Sequence, residues 1–188
     1  MQAKEDYRLQ KMAQLSRGPL IADIGFAQSP NPYLQAESLI GIDPAPSSHP
    51  SNYQQLFTGT LAEFCQENPA MQFDSVVAGE LLEHLLNPML FLQECFDALR
   101  PGGLLILSTP NPNSPIERLL TLTLSRRFFY TSDHVMLFPQ RWLIRMLEIS
   151  GFVNCKLHSG GFPCPVFGLI PFPRPWCYQT IAVAEKPL

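Results

Sequence analysis

Acids and histidines stand at the ends of several short apolar runs, where a fold gathers its chemistry. Glu80, Glu83 and His84 are spaced i, i+3 and i+4, so a helix over them would put all three on one face. There a carboxylate or imidazole can orient an acceptor hydroxyl or remove its proton. The plainer role is that Glu83 and His84 cap and orient that helix. Asp43 closes the run Leu39-Ile40-Gly41-Ile42, and an acid at a strand end can take both hydroxyls of a ribose. Asp23 sits inside Ile21-Ala22-Asp23-Ile24-Gly25, where burial is costly unless its carboxylate accepts hydrogen bonds. Gly25 ends that run and lets the backbone approach a ligand closely. Asn31 followed by Pro32 reads as a helix N-cap with proline at the first helical position. His134, in Asp133-His134-Val135-Met136, offers a further imidazole; His49 and His158 have no assigned task.

The elements that must position these residues follow from the hydrophobic pattern. Short apolar runs at 20–24, 38–42, 73–78 and 104–108, with a weaker one at 53–57, read as buried parallel strands. Helices are expected over 4–17, 61–67, 88–99, 116–124 and 140–149, and two more strands over 152–157 and 178–184. Strands alternating with helices make an α/β fold with a parallel sheet. The 188 residues suit one domain: an N-terminal helix to residue 17, a cap inserted at 110–138, and a Pro/Phe-rich loop at 159–176. The 19 prolines cluster at 30–32, 44–50, 110–115 and 163–175, which all read as loops.

Composition narrows the classes. Charged residues make up 15% and the net charge is -3, so nucleic acid is not expected; only Arg126-Arg127 hints at a basic patch. Five scattered cysteines without a C-x-x-C pair argue against a disulfide framework or zinc knuckle. No secretory leader and no run of roughly 20 apolar residues is evident, so the expectation is a cytoplasmic protein without a transmembrane segment.

Asp23-Ile24-Gly25, Gly41-Ile42-Asp43, the segment from Phe73-Asp74-Ser75 to Glu80-Leu81-Leu82-Glu83-His84, and Leu99-Arg100-Pro101-Gly102-Gly103 come in this order. Over about residues 18–158 the set resembles the class I S-adenosylmethionine (SAM)-dependent methyltransferases. It is most similar to the subgroup with an E-x-x-E-H segment after strand four, which includes ubiquinone-pathway O-methyltransferases. The resemblance implies a doubly wound, Rossmann-like seven-stranded sheet, mostly parallel, with one antiparallel strand near the C-terminus. SAM would lie across the ends of strands one to four. Gly25 would pass under its methionine part, with Asp23 orienting loop amides or the amine, and Asp43 would bind the ribose. Thr60 and Leu61 would flank the adenine, and Ala78, Gly79 and Glu80 would close the methionine side. Glu80, His84 and His134 would line the acceptor pocket as the candidate catalytic residues.

Two positions depart from the family pattern. The glycine-rich G-x-G-x-G reads Gly25-Phe26-Ala27-Gln28-Ser29, and the usual acid near the adenine is Thr60. The link between strands one and two is short, so its helix should be little more than a turn. Some relatives, small-RNA 2′-O-methyltransferases among them, hold a divalent metal on such a glutamate–histidine cluster with a further histidine, here His134. Many need none, and no metal is expected.

The expected reaction is in-line methyl transfer from SAM to a small, hydrophobic acceptor, leaving S-adenosylhomocysteine. Aromatic segments at 126–130 and 162–172 would form a lid or a homodimer contact, or pack on the domain. Two alternatives remain: a non-catalytic methyltransferase-like binding module, and a nicotinamide-dependent oxidoreductase, disfavoured by the missing second and third glycines of G-x-G-x-x-G.

Overall fold

The structure is a computed structural model that describes residues 6–45, 50–123, 134–164 and 168–188. Expectations at residues 4 and 5, at His49, over 124–133 including the 126–130 aromatic segment, and at Val166 and Phe167 lie outside the described residues.

The elements run α1 (Asp6–Leu15), β1 (Leu20–Ile24), β2 (Ser38–Asp43), β3 (Gln55–Thr58), α2 (Leu61–Glu67), β4 (Phe73–Gly79), a 3-10 turn (Leu82–His84), α3 (Pro88–Ala98) and β5 (Leu99–Pro110). There follow α4 (Pro115–Thr123), α5 (Gln140–Ile149), β6 (Val153–Ser159), β7 (Phe162–Cys164), β8 (Gly168–Ile170), a second 3-10 turn (Arg174–Trp176) and β9 (Gln179–Glu185). Seven strands form one sheet in the order β3-β2-β1-β4-β5-β9-β6. Only β9 runs antiparallel to its neighbours. The expected Rossmann-like sheet is therefore the one observed.

Local chemistry explains the element ends. Thr60 caps α2 through a capping box: its hydroxyl accepts from the Glu63 amide while the Glu63 carboxylate accepts from the Thr60 amide. Asn87 caps α3 with Pro88 at its first turn. The central strands are buried on both faces and divide their side chains alternately between two cores, while the edge strands β3 and β6 are partly exposed. Ala22, Ile24, Ile40, Val76, Ala78, Leu105 and Leu107 join a core with residues of α2, α3 and α5. Ile21, Leu39, Val77, Ile106 and Ile181 meet Met12 of α1 with Phe26, Leu34 and Tyr53 on the other face. By that alternation Asp23 and Ser108 face α1, and Thr109 faces away from it.

Three expectations need correction. No helix forms between β1 and β2: the Asn31 side chain accepts from the Tyr33 amide at 3.0 Å and donates to Leu9 O, so it makes a turn and an anchor instead of a cap. The 160–175 stretch is not all loop, because β7 and β8 pair as a hairpin that meets α1. The segment Leu99-Arg100-Pro101-Gly102-Gly103 is part of β5, which accommodates it as an irregularity between the pairs Phe73–Leu99 and Ser75–Leu104.

Candidate active site

The carboxyl ends of β1, β2, β4 and β5 converge, as strand order requires where β1 stands between β2 and β4. Gly25 takes a left-handed turn (φ +76°) and its amide donates to Ile42 O at 2.9 Å. Asp43 points inward. Its Oδ2 accepts from the Ala27 amide at 3.0 Å and its Oδ1 from the Ala45 amide at 2.7 Å. A carboxylate has about four lone-pair sites, so Asp43 ties two loops and keeps acceptor capacity for a ligand hydroxyl.

Asp23 is sealed on the α1 face. The Tyr53 hydroxyl donates to Asp23 Oδ2, and the Asn31 amide donates to the Tyr53 oxygen at 3.0 Å. Burial pushes the Asp23 carboxyl up to about 7, against the lowering effect of the Tyr53 bond. Burial and then the nearby Asp23 raise the Tyr53 phenol as well.

Across the same edge lies Arg8 of α1, only 1% exposed. Its Nη1 donates to Ser108 Oγ at 2.8 Å and stands 4.0 Å from Glu80 Oε1. Ser108 Oγ donates to Glu80 Oε1 at 3.0 Å, and Gln179 Nε2 donates to Glu80 Oε2 at 2.9 Å. Glu80 has a positive φ of 52°, strained for a residue with a Cβ. Its amide is fixed by donating to Ser108 O at 3.0 Å.

Between Arg8, Asp23, Gly25, Ser29 and Gly79 the remaining cavity is about 10 Å³, room for roughly one water. The protein's own side chains fill the rest: Leu81 leans over Gly25, where a Cβ would stand 3.2 Å from Leu81 Cδ1, and Arg8 with Met12 covers Gly79. On its α1 side the crevice is therefore nearly filled.

A second cluster lies beyond Glu80, on the Thr109 face of the sheet. Glu83 is fully buried; Thr109 Oγ1 donates to its Oε2 at 3.0 Å, while its Oε1 has no hydrogen-bond partner among the described residues. Oε1 faces His134 Nε2 at 4.0 Å, and the His84 and His134 rings meet edge to face at 4.7 Å. Burial, and then the charge of Glu80, push the Glu83 carboxyl up to about 8. The Val135 amide donates to Glu83 O at 2.9 Å, which brings the His134 segment over the 3-10 turn.

The structure thus gathers Asp23, Gly25, Asp43, Gly79 and Glu80 at one edge, with Ala78 buried in the core beneath it. His84 and His134 meet beside that edge. Thr60 and Leu61 stand otherwise: the Thr60 side chain is exposed and engaged with Glu63, and Leu61 is core. His158 lies on β6 and takes no part. Sequence reasoning missed Arg8, whose only signal is a charge beside Leu9 in a helix otherwise read as polar. It also missed Ser108, Thr109 and Gln179, polar residues at the ends of β5 and β9.

A seven-stranded Rossmann-like sheet with β9 antiparallel, a glycine turn after β1 and an acid closing β2 matches the architecture expected of class I methyltransferases. A family model described as a methyltransferase domain matches residues 26–157, and the chain belongs to that SAM-dependent methyltransferase family. The rat mitochondrial ubiquinone biosynthesis O-methyltransferase is 36% identical over 86 residues, covering 39% of this chain and 25% of the relative. The ubiquinone biosynthesis O-methyltransferase of Pseudomonas entomophila is 31% identical over 102 residues, 54% of this chain and 39% of the relative. The chain therefore spans a quarter to two fifths of the length of these curated relatives. A SAM-dependent methyltransferase from Archaeoglobus fulgidus shares the fold with a TM-score of 0.70 at 16% identity, over 96% of this chain and 92% of that one.

Proposed function

We propose that this chain transfers the methyl group of SAM to a small-molecule acceptor. The observation that carries the reading is the pairing of Gly25, in its left-handed turn, with the inward carboxylate of Asp43 across the ends of β1 and β2. When bound, SAM supplies a methyl carbon already activated by its sulfonium, and transfer leaves S-adenosylhomocysteine. Asp43 holds the ribose hydroxyls. Arg8, the buried cation beside Gly25 and Gly79, takes the methionine carboxylate in place of part of its contact with Glu80. Glu80, fixed by Ser108 and Gln179, orients the acceptor, and His84 or His134 accepts the proton its nucleophile loses. Alignment supplies most of the rate. Two relatives named for ubiquinone biosynthesis O-methylation support an oxygen nucleophile.

On the α1 side, Leu81 packs against Gly25 and Arg8 with Met12 against Gly79, so a methionine moiety entering there displaces these side chains.

One observation favours a second reading in which a divalent cation joins the site. Glu83, His84 and His134 offer one carboxylate oxygen and two imidazole nitrogens, all within 4.8 Å of one another, and Glu83 Oε1 is buried without a hydrogen-bond partner among the described residues. That donor set fits a first-row divalent metal, which would supply Lewis-acid activation of an acceptor oxygen.

Calorimetric titration with SAM, S-adenosylhomocysteine and NAD tests the reading. Both adenosyl compounds should bind and NAD should not. If neither adenosyl compound binds, the chain is a methyltransferase-like module without the activity; NAD binding alone would return the oxidoreductase.

A further inference from the structure

A groove of about 700 Å³ opens between α5 and the Arg174–Trp176 turn, and its lining shares no residue with the cavity beside Gly25. That volume lies within the usual range for small-molecule sites, about 300–1,000 Å³. Three guanidinium groups line it. Arg141 and Arg145 stand one turn apart on α5, and Arg174 comes from the facing turn. Among the described residues the lining holds one carboxylate, Glu148, 3.4 Å from Arg145 Nη1. Arg141 and Arg174 have no carboxylate partner among the described residues. The Arg141 guanidinium instead lies 5.9 Å from the centre of the Trp142 ring, which is 59% exposed.

The facing walls are held together before any ligand arrives. Gln140 Nε2, at the start of α5, donates to Arg174 O and to Thr180 Oγ1, both at 2.9 Å. Asn111 Nδ2 donates to Cys177 O at 2.8 Å and to Pro175 O at 3.2 Å, and its Oδ1 accepts from the Asn113 amide at the groove's end. Little backbone ordering is therefore left for binding. The charge is also local: the chain as a whole carries -3, yet this lining holds three cations and one anion. His158 on neighbouring β6 senses the same field. Burial lowers its pKa first, and Lys11, Lys156 and Arg174 lower it further.

Guanidinium groups match phosphate oxygens in geometry and charge, and an exposed indole offers a flat apolar surface beside them. We propose that this groove binds a phosphate ester. Arg141 and Arg174 grip the phosphate from opposite walls, and the organic part rests on Trp142. The size of the groove suits one small ligand better than a polynucleotide track. The inference stands apart from methyl transfer and is read without SAM.

Pyrophosphate is the probe, titrated calorimetrically into the full chain at low ionic strength, with Trp142 fluorescence followed in a Trp176→Phe background. Binding should weaken at least about tenfold in Arg141→Gln and in Arg174→Gln, less in Arg141→Lys, and not at all in Arg118→Gln on α4. Thermal melting of each variant checks that these surface changes leave the fold intact. Vesicles of phosphatidylcholine with phosphatidic acid form a second arm. Capture that depends on Arg141 and Arg174 alongside weak pyrophosphate binding assigns the phosphate to a lipid headgroup; tight pyrophosphate binding without capture assigns it to a soluble ester. The proposal is overturned if neither probe binds or if the arginine variants bind as the parent does. It is equally overturned if a single-stranded oligonucleotide binds far more tightly than either and loses affinity in Arg118→Gln too.

Discussion

Arg8, near the beginning of the chain, and Ser108, a hundred residues later at the end of β5, meet at 2.8 Å with both side chains buried. That bond pins α1 over Gly79 and sets a cation beside the crevice. Removing it should act on both stability and donor binding. Arg8→Ala leaves Glu80 without its cation, and breaking a buried ionic contact costs about 3 kcal/mol. Urea denaturation should show a loss of that order, and calorimetry a fall in SAM affinity of at least about tenfold. Arg8→Lys should recover more of the stability than of the affinity, because an ammonium cannot clamp a carboxylate bidentately.

Leu81 occupies the space above Gly25. Leu81→Ala clears that space, so SAM affinity should rise several-fold while the melting temperature drops a few degrees from the lost packing. A fall in affinity would mean that Leu81 is a donor contact and not a plug.

Asp43 orders the loops at Ala27 and Ala45 and is expected to bind the ribose. Asp43→Asn keeps the shape but replaces charge-assisted bonds with weaker ones and gives one former acceptor oxygen's place to a donor. SAM binding should fall at least about tenfold, at a stability cost of about 1–2 kcal/mol. Unaltered SAM binding would remove the ribose role.

Asp23 sets a pH dependence. Its carboxyl rises from an ordinary 3.8 to about 7 in the fold, mainly through burial, so the native state holds this proton where the unfolded chain has lost it. Stability from this group is complete below about pH 4, falls as pH rises, and is lost above about 7. The decline is on the order of 4 kcal/mol. Asp23→Asn keeps an acceptor for Tyr53 and cannot ionise. Its denaturation midpoint should stay flatter across that window and exceed the parent's at pH 8.

Glu83, His84 and His134 supply the last test. If they take a cation, Mn²⁺ should raise the melting temperature, and His134→Ala should abolish that rise without lowering the temperature of the metal-free protein by more than a degree or two. An equal rise in parent and variant would assign the metal elsewhere.

Much of this molecule was legible in its residue order. Buried strands announce themselves as unbroken apolar runs, which is why β1, β2 and β4 begin where expected and end within a residue of it. The helices over 61–67 and 88–99 were also expected, although the caps that start them, Thr60 with Glu63 and Asn87 ahead of Pro88, were not read from the sequence. The glycine and acids at the sheet's edge were visible because strand ends are local events. The short link between β1 and β2 limited its helix, although the absence of any helix there was not foreseen. Proline density hid the β7–β8 hairpin, since prolines at strand edges leave no periodic trace.

What the sequence determined by itself was the sheet and the glycine and acids at the ends of β1, β2 and β4; Arg8, Ser108, Thr109 and Gln179 were not visible in it. Tertiary structure alone decided how those residues are used. It buried Arg8 against Ser108, sent Glu80 and Glu83 to different partners, carried His134 to His84, and folded Leu81 over Gly25. Each of these depends on where distant or neighbouring segments dock, and on the unusual backbone at Glu80. Spacing along the chain encodes bonds within one element, whereas a contact between elements is chosen by packing of the whole core.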